Sequence, residues 1–301
     1  MNRYQKIKVP LSLLDGDEEV IHYAGMVSRL AESAEVEFVH MVETPEIPGS
    51  VKEKYPWLLE PLDDMLLKKM EGLVREKWDG HEKTELKFVV QQRENLVMSI
   101  LAGILEQDSD LVIVGRESFG GDLAVRLARK ASCSVMSVPA GYKEELARII
   151  VPTDFSEYSS QALDVGLAFG EAAGLAFIES VHVYNIGKYS HRITLPQDEI
   201  KDMAQMFAED KHEEYLQTID HRGVHVKMNN QFHPVMSNGI LRAIRDLDSD
   251  LVVTGCRGRD TVTSWLLGGN AEYLLKNSQV PVVAVKPKGT GQKLLEALLQ
   301  E

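Results

Sequence analysis

Short apolar runs alternate with longer amphipathic stretches along this chain. In the first half, the runs with the length and composition of buried strands lie at residues 6–11, 38–42, 86–90 and 111–114. The stretches between them follow a helical period. Val20, Ala24 and Val27 share one face of the segment 17–34, and a second amphipathic helix is expected over residues 62–78. The pattern therefore predicts strands and helices in alternation.

The second half shows the same alternation. Its predicted strands lie at residues 149–152, 177–183, 224–228 and 251–254. A long helix is expected over residues 198–220, and its methionine and aromatic stripe, which includes Met203 and Phe207, is expected to face the core. A final apolar run closes each half, at residues 135–138 and 282–285.

Internal repetition is visible as matched segments at a nearly constant spacing. Residues 7–10 (IKVP) match residues 149–152 (IIVP), an offset of 142. The segment SDLV occurs at residues 109–112 and again at residues 249–252, an offset of 140. We therefore predict two diverged copies of one unit, over residues 1–143 and 147–288.

Strands that alternate with helices form mostly parallel sheets covered by helices on both faces. We accordingly predict an α/β fold of two tandem, doubly wound, mostly parallel five-stranded sheets. In such sheets, ligands bind beyond the carboxyl ends of the strands, at the point where the strand order reverses. The first and fourth strands of the second copy, residues 149–152 and 251–254, should flank that crevice.

A glycine-rich loop follows the fourth strand of the second copy. Gly255, Gly258 and Gly268 have the spacing G-x2-G-x9-G, and Asn270 opens a predicted helix. Glycines let backbone N–H groups approach a ligand closely, and a helix N-terminus attracts phosphate. The alternative is that these glycines only make turns. Arg257, inside the loop, could contact phosphate or be solvated.

The first strand of the second copy runs into the sequence VPTDFS, residues 151–156. Asp154 and Ser156 could each cap the following helix by accepting hydrogen bonds from its free N–H groups. Asp154 could instead accept hydrogen bonds from a nucleoside at the mouth of the crevice. Because the glycine loop lies in the same copy, we favour ligand contact for Asp154. His182, inside the second strand, is expected to have a packing role.

The loop spacing and VPTDFS together resemble the nucleotide-binding signature of the universal stress protein family, and the repeat resembles its tandem members. The resemblance implies an adenine nucleotide alpha hydrolase-like fold that binds ATP, with or without Mg²⁺, in the second copy. It implies that Asp154 contacts the nucleoside and that the backbone of Val183 meets adenine. The family has Ser or Thr where this chain has Gly269. The expected contact residues are Pro152, Thr153, Asp154, Val183, Gly255, Arg257, Gly258, Gly268, Gly269 and Asn270.

The first copy departs from this signature at both critical places. Ser12 stands where the second copy has Asp154, and Ser118 replaces the second loop glycine. The offset between the copies rises from 140 to 146 across the loop, so the first loop is six residues shorter. Glu117 and Asp122 would repel a phosphate. We therefore expect a degenerate nucleotide site in the first copy.

The charge balance narrows the range of partners. The chain has 33 Lys and Arg against 46 Asp and Glu, a net charge of −13, and no basic stripe, which argues against nucleic acid and anionic membranes. No apolar stretch approaches the roughly 18 residues that a membrane span needs, and the N-terminus lacks the apolar core of a secretory signal. We expect a cytoplasmic location.

The leading hypothesis is a stress-response protein that binds ATP in its second copy and acts on an unidentified protein partner. A slow ATP hydrolase on the same scaffold and a nucleotide-free scaffold are the alternatives. The sequence offers no catalytic residue and no metal-ligand cluster. The resemblance further implies that the final strands, residues 135–138 and 282–285, pair within one chain as an intramolecular pseudo-dimer. Further association into a homodimer is left open.

Overall fold

The computed structural model describes residues 3–43, 62–93, 95–141, 146–186, 196–257 and 267–299, together with Ser50 and Lys54. Within these ranges strands and helices alternate as predicted, and the strands join into one ten-stranded sheet. The predicted loop residue Gly258 lies outside the described residues. No helix within these ranges has both the length and the apolar character needed to cross a membrane.

The first half supplies strands and helices in alternating order. Its strands are β1 (Lys6–Leu11), β2 (Glu35–Glu43), β3 (Glu85–Arg93), β4 (Leu111–Gly115) and β5 (Ser134–Val138). Its described helices are α1 (Asp17–Ala31), α2 (Leu62–Lys77), α3 (Leu96–Gln107) and α4 (Leu123–Lys130).

The second half repeats this order. Its strands are β6 (Ile149–Pro152), β7 (Phe177–Tyr184), β8 (His225–Phe232), β9 (Leu251–Gly255) and β10 (Val282–Val285). Its described helices are α5 (Glu157–Ala172), α6 (Gln197–Leu216), α7 (Met236–Asp246), α8 (Gly269–Asn277) and α9 (Gln292–Leu299).

The two halves are joined through their final strands. The strand order is β3-β2-β1-β4-β5-β10-β9-β6-β7-β8, with parallel pairing inside each half. The single antiparallel pair among the described strands is β5 with β10, where Met136 lies opposite Val283. The predicted contact between the two final runs is therefore present, and it extends two five-stranded units into one sheet.

Buried apolar residues cover both faces of this sheet. One layer contains Phe38 and Phe169 and lies under α1 and α5, while the other contains Ile104 and Leu274 and lies under α3 and α8. Successive strand residues point to opposite faces, so a run such as Val252-Val253 serves both layers. This explains why the strands are continuous apolar runs.

Element boundaries differ from the predictions where local conformation decides them. Helix α1 ends at Ala31 because Glu32 adopts a left-handed conformation with φ of 49°. Strand β8 continues to Phe232, four residues past the predicted end, because it pairs with β7 along its whole length. Long helix α6 ends at Leu216, earlier than the predicted 220.

One prediction about the core is wrong. Met203 and Phe207 of α6 were expected to face the core, but their exposed fractions are 60% and 64%. The helix lies over β7 and β8 at the end of the sheet, and that surface covers only the face that contains Ala208 and His212. Met203 and Phe207 on the other face are left in contact with solvent, whereas Ile200 and Tyr215 of the same predicted stripe are buried.

The sequence prediction also missed helix α9, which lies beyond the expected end of the second copy at residue 288. Leu295 of α9 is completely buried, and the helix packs against α3 of the first half. Helix α9, which follows the second half in sequence, therefore packs against the first half. This contact adds a second link between the halves besides the β5–β10 pair.

The strand order reverses between β6 and β9. Strand β6 pairs with β7 on one side and with β9 on the other. The chain leaves these neighbouring strands toward helices on opposite faces of the sheet, so a crevice opens where their carboxyl ends separate. The expectation that the first and fourth strands of the second half flank a crevice is confirmed.

Candidate functional site

A cavity of about 530 Å³ opens at the carboxyl ends of β6 and β9. Apart from Gly258, every residue that the sequence predicted as a contact residue lines it. These residues are Pro152, Thr153, Asp154, Val183, Gly255, Arg257, Gly268, Gly269 and Asn270. Residues more than 100 positions apart in the sequence thus meet at one place.

The cavity has further walls that the sequence prediction did not include. They are Ser159, Val181, His182, Met236, Ile240, Thr254 and Ala271. Met236 and Ile240 belong to α7, which crosses the end of β7. The apolar spacing of α7 predicts a core helix, but nothing in that spacing indicates which turn borders a cavity.

The N-terminus of α8 points its free backbone donors at the cavity. Gly268 is the residue that precedes the helix, and no side chain caps the helix there. The N–H group of Gly268 donates to the carbonyl of Cys256 at 2.8 Å, so it is already used. Gly269, Asn270 and Ala271 supply the next N–H groups, which an α-helix leaves without intrahelical partners. The donors predicted at Gly268 therefore lie one residue further on.

Arg257 brings a positive charge to the same end of the cavity. Its Nη1 donates to the hydroxyl of Tyr158 at 3.0 Å, and its guanidinium lies 5.4 Å from the centre of that ring. Tyr158 can lie close to the end of β9 because Gly255 has no side chain. A Cβ at position 255 would lie 2.7 Å from the Tyr158 carbonyl oxygen. A glycine is thus required at the end of β9 to hold the arginine in place.

Asp154 and Ser156, which the sequence left as alternative helix caps, have different roles. The Ser156 hydroxyl accepts from the N–H of Ser159 and caps α5. Asp154 Oδ1 accepts from the N–H of Ser156 at 3.1 Å, outside the helix, and the residue lines the cavity. The carboxylate is therefore part of the cavity lining, while the serine caps the helix.

His182 both lines the cavity and shapes it. Its Nδ1 donates to the carbonyl of Thr153 at 2.9 Å, which ties the end of β6 to β7. Its ring lies 4.3 Å from that of Phe155, which follows β6 in a left-handed conformation with φ of 64°. The prediction of a packing role agrees with these contacts, although the position beside the cavity was not foreseen.

Part of the cavity wall is apolar. Val181, Val183 and Ile240 line it and are almost completely buried. Helix α7 can pack against this wall because Gly239 has no side chain. A Cβ at position 239 would lie 2.6 Å from Val183. The cavity lining therefore combines N–H donors and a guanidinium with apolar side chains.

A polar triad, with two of its three residues buried, lies behind the His182 wall. His212 of α6 is completely buried, with Nδ1 2.9 Å from Asn230 Oδ1 and Nε2 2.7 Å from Ser180 Oγ. Burial lowers the pKa of His212, although the hydrogen bond to Asn230 opposes the shift. The ring lies 5.4 Å from Phe155. At the matching place, the first half has the apolar Met70 and Phe38.

The corresponding place in the first half is filled by carboxylates. Glu117 stands where the second half has Arg257, and it accepts hydrogen bonds from Arg116 and from the N–H of Ala140. Burial would raise the pKa of Glu117, but these hydrogen bonds lower it overall. Asp17, at the position of Ser159, is buried and accepts from Ser12 and Leu13. Burial raises the pKa of Asp17.

The described residues offer no group of three or more His, Cys, Asp or Glu that could hold a metal ion. Cys133 and Cys256 are buried and unpaired as thiols, and burial raises the pKa of Cys133 to about 12. A thiol with so high a pKa is a poor nucleophile. The chemistry that the cavity itself offers is hydrogen bonding, one guanidinium, one carboxylate and an apolar wall.

The second half, which contains the cavity, is similar to a known protein family. The sequence model of the Universal stress protein family matches residues 145–286, which contain the whole cavity. No protein with a curated description is significantly similar in sequence. A universal stress protein from Archaeoglobus fulgidus DSM 4304 has a similar structure, with a TM-score of 0.60 and 15% identity, over 94% of this chain and 99% of that chain.

A second similar structure is a protein of unknown function from Pseudomonas aeruginosa PAO1. Its TM-score is 0.62 at 16% identity, over 99% of this chain and 98% of that chain. At such identity these likenesses show the fold alone. Because they cover nearly the whole chain, they show that both halves have this fold.

Proposed function

We propose that the chain binds ATP in its second half. The proposal takes as its premise that residues 145–286 belong to the universal stress protein family and that the first half repeats their fold. In this proposal the protein is a cytoplasmic stress-response protein whose occupancy by nucleotide regulates an interaction with another protein. The single observation that carries the proposal is the cavity at the β6–β9 switch point, whose lining combines backbone N–H donors, Arg257, Asp154 and apolar side chains.

The residues present fit a nucleotide. Arg257 and the free N–H groups of Gly269, Asn270 and Ala271 suit the phosphates, because a helix N-terminus and a guanidinium both favour negative charge. Val183 and Ile240 suit the flat apolar surface of adenine. Asp154 also lines the cavity, and its carboxylate can accept from the hydroxyl groups of a ribose. The volume of about 530 Å³ is in the range of small-molecule sites.

The proposal also assigns one site to each chain. In the first half, Glu117 and Asp17 bring carboxylates to the places that Arg257 and Ser159 occupy in the second. A phosphate at that position would meet negative charge instead of donors. Mg²⁺ could accompany the triphosphate, and the chain's part would then be to hold the phosphate oxygens.

The experiment that tests this function is mass spectrometry of nucleotide released from the purified chain, with calorimetry on added ATP. The variant Gly268→Trp, purified in parallel, is the control, because an indole there would occupy the cavity. We expect adenine nucleotide with the native chain and none with the variant. Equal nucleotide in both, or neither co-purified nucleotide nor binding of added ATP, would contradict the proposal.

A slow ATP hydrolase on the same scaffold is the alternative. It is separated from simple binding by incubating the chain with ATP and Mg²⁺ and following ADP over days. Formation of ADP that Gly268→Trp abolishes would favour the hydrolase.

A further inference from the structure

The outer face of α6 carries an apolar surface that is exposed in the described part of the chain. Met203, Met206 and Phe207 follow one another at helical spacing, with exposed fractions of 60%, 65% and 64%. We call these three side chains the α6 patch. The helix is held to the sheet by its other face, where Ala208 and His212 are buried. Among the residues that the structure describes, the α6 patch is therefore not needed for packing within the chain.

Apolar surface of this kind is uncommon on a protein that has no partner for it. Exposed apolar residues scattered singly are ordinary, but a contiguous group with a polar rim marks an interaction site. Methionine is flexible and polarisable, so two methionines beside a phenylalanine form a surface that adapts to different apolar side chains. The α6 patch has the composition of a docking surface.

The rim of the α6 patch is acidic. Helix α6 contains seven Asp or Glu residues and two lysines. The acidic residues lie on both sides of the patch along the helix: Asp198, Glu199 and Asp202 before or beside it, and Glu209, Asp210, Glu213 and Glu214 after it. Positive charge on a partner that covers the patch is therefore favoured. Carboxylates on the partner would lie close to those of α6 and be repelled.

A cation already lies on the patch itself. The Lys211 ammonium lies 5.3 Å from the centre of the Phe207 ring, so this ring already has a positive group beside it. A lysine or arginine from a partner could take a similar position. Aromatic and carboxylate groups together select for basic side chains.

We propose that the α6 patch binds an amphipathic helical segment of a partner protein, whose apolar side covers Met203, Met206 and Phe207 and whose Lys and Arg side chains meet the acidic rim. The spacing of the patch matches the i, i+3, i+4 anchors by which helices recognise one another. This proposal does not depend on nucleotide binding in the cavity.

The first half offers a matched control. Position 207 corresponds to Met65 of α2, which is 61% exposed, while positions 203 and 206 correspond to Pro61 and Asp64. The equivalent helix thus has one exposed methionine without the rest of the patch. A substitution at Met65 removes exposed apolar surface of a similar kind from the other half of the molecule.

The test uses a fluorescent amphipathic peptide of leucine and lysine at helical spacing, titrated with the full chain and followed by anisotropy. The probe controls are the same peptide with glutamate in place of lysine, and a scrambled leucine–lysine peptide. The protein variants are Met203→Gln/Met206→Gln/Phe207→Gln and, as the control, Met65→Gln. All four substituted residues are exposed, so circular dichroism should show an unchanged fold.

We expect the leucine–lysine peptide to bind the native chain and Met65→Gln equally, and the triple variant at least tenfold more weakly. Affinity should fall with added salt because the rim is exposed. Equal binding by the triple variant and Met65→Gln, absence of binding to the native chain, or equal binding of the glutamate peptide would overturn the proposal. Dimerisation of the native chain that the triple variant abolishes would assign the patch to a second copy and would also overturn it.

Discussion

The Nδ1 atom of His182 lies 2.9 Å from the carbonyl oxygen of Thr153, and the same bond joins His40 to Leu11 in the first half at the same distance. Each bond ties the carboxyl end of a half's first strand to its second strand. Only the bond at Thr153 borders the cavity. The repeat therefore preserves a structural bond, and a cavity lies beside one of its two copies.

The two histidines predict that substitutions can lower folding stability in both halves but nucleotide affinity in only one. His182→Ala and His40→Ala should each lose about 1 kcal/mol or more of folding free energy, because each leaves a strand-end carbonyl without its donor. Nucleotide affinity should fall only for His182→Ala. Urea unfolding and calorimetry on both variants check this, and equal loss of affinity in the two would refute it.

Substitutions at Asp154 and Ser156 should likewise separate an effect on nucleotide affinity from an effect on folding stability. If Asp154 binds the nucleoside, Asp154→Ala should weaken ATP binding by about 1–3 kcal/mol, the cost of one charge-assisted hydrogen bond, with little change in melting temperature. Ser156→Ala should instead destabilise the fold by about 1 kcal/mol, because it removes the cap of α5, and leave affinity unchanged. A melting temperature that falls for Asp154→Ala at constant affinity would assign it a structural role instead.

Arg257 should act on phosphate alone. We predict that Arg257→Gln weakens ATP binding by about 1–2 kcal/mol, which allows for solvent screening of a partly exposed charge. Adenosine, which has no phosphate, should bind the native chain and the variant equally. Calorimetry with the two ligands, repeated at higher salt, provides the measurement. An equal loss for ATP and adenosine would show that the arginine only supports Tyr158.

The buried His212 predicts a dependence of stability on pH. Because burial lowers its folded-state pKa below the usual 6.5, the unfolded chain binds that proton more tightly, and stability should decrease as the pH falls below about 6.5. His212→Met introduces the residue that the first half has at position 70. The variant should be less stable at neutral pH by about 1–3 kcal/mol, because Ser180 and Asn230 lose their partner.

The measurement is urea unfolding of the native chain and His212→Met at several pH values between about 5 and 8, a window that follows from the pKa of histidine. The difference in stability between the two proteins should shrink toward the acid end. Parallel profiles would mean that His212 does not titrate in this range.

The sequence was sufficient for the parts of the fold that periodicity and repetition encode. Buried strands such as Leu251–Gly255 are continuous apolar runs, and the repeat identified which strands correspond. The contact residues came from loop spacing and from VPTDFS, and all that the structure describes line one cavity. Their role as ligand contacts stays a prediction.

What the sequence did not provide depends on contacts between distant segments. The apolar spacing of α6 could not distinguish a buried stripe from an exposed one, because burial depends on how much of the helix the sheet covers. The use of the Gly268 N–H by Cys256 depends on how the loop closes. The cavity wall at Ile240 required α7 to approach β7, which Gly239 allows.

The measurement that tests the central claim most directly is the stoichiometry of ATP binding by isothermal titration calorimetry. Several converging donors are needed to hold a triphosphate, and the first half has Glu117 and Asp17 at the matching places. The account predicts one site per chain, and no binding by Gly268→Trp. Two equivalent sites per chain, or full binding by that variant, would contradict it.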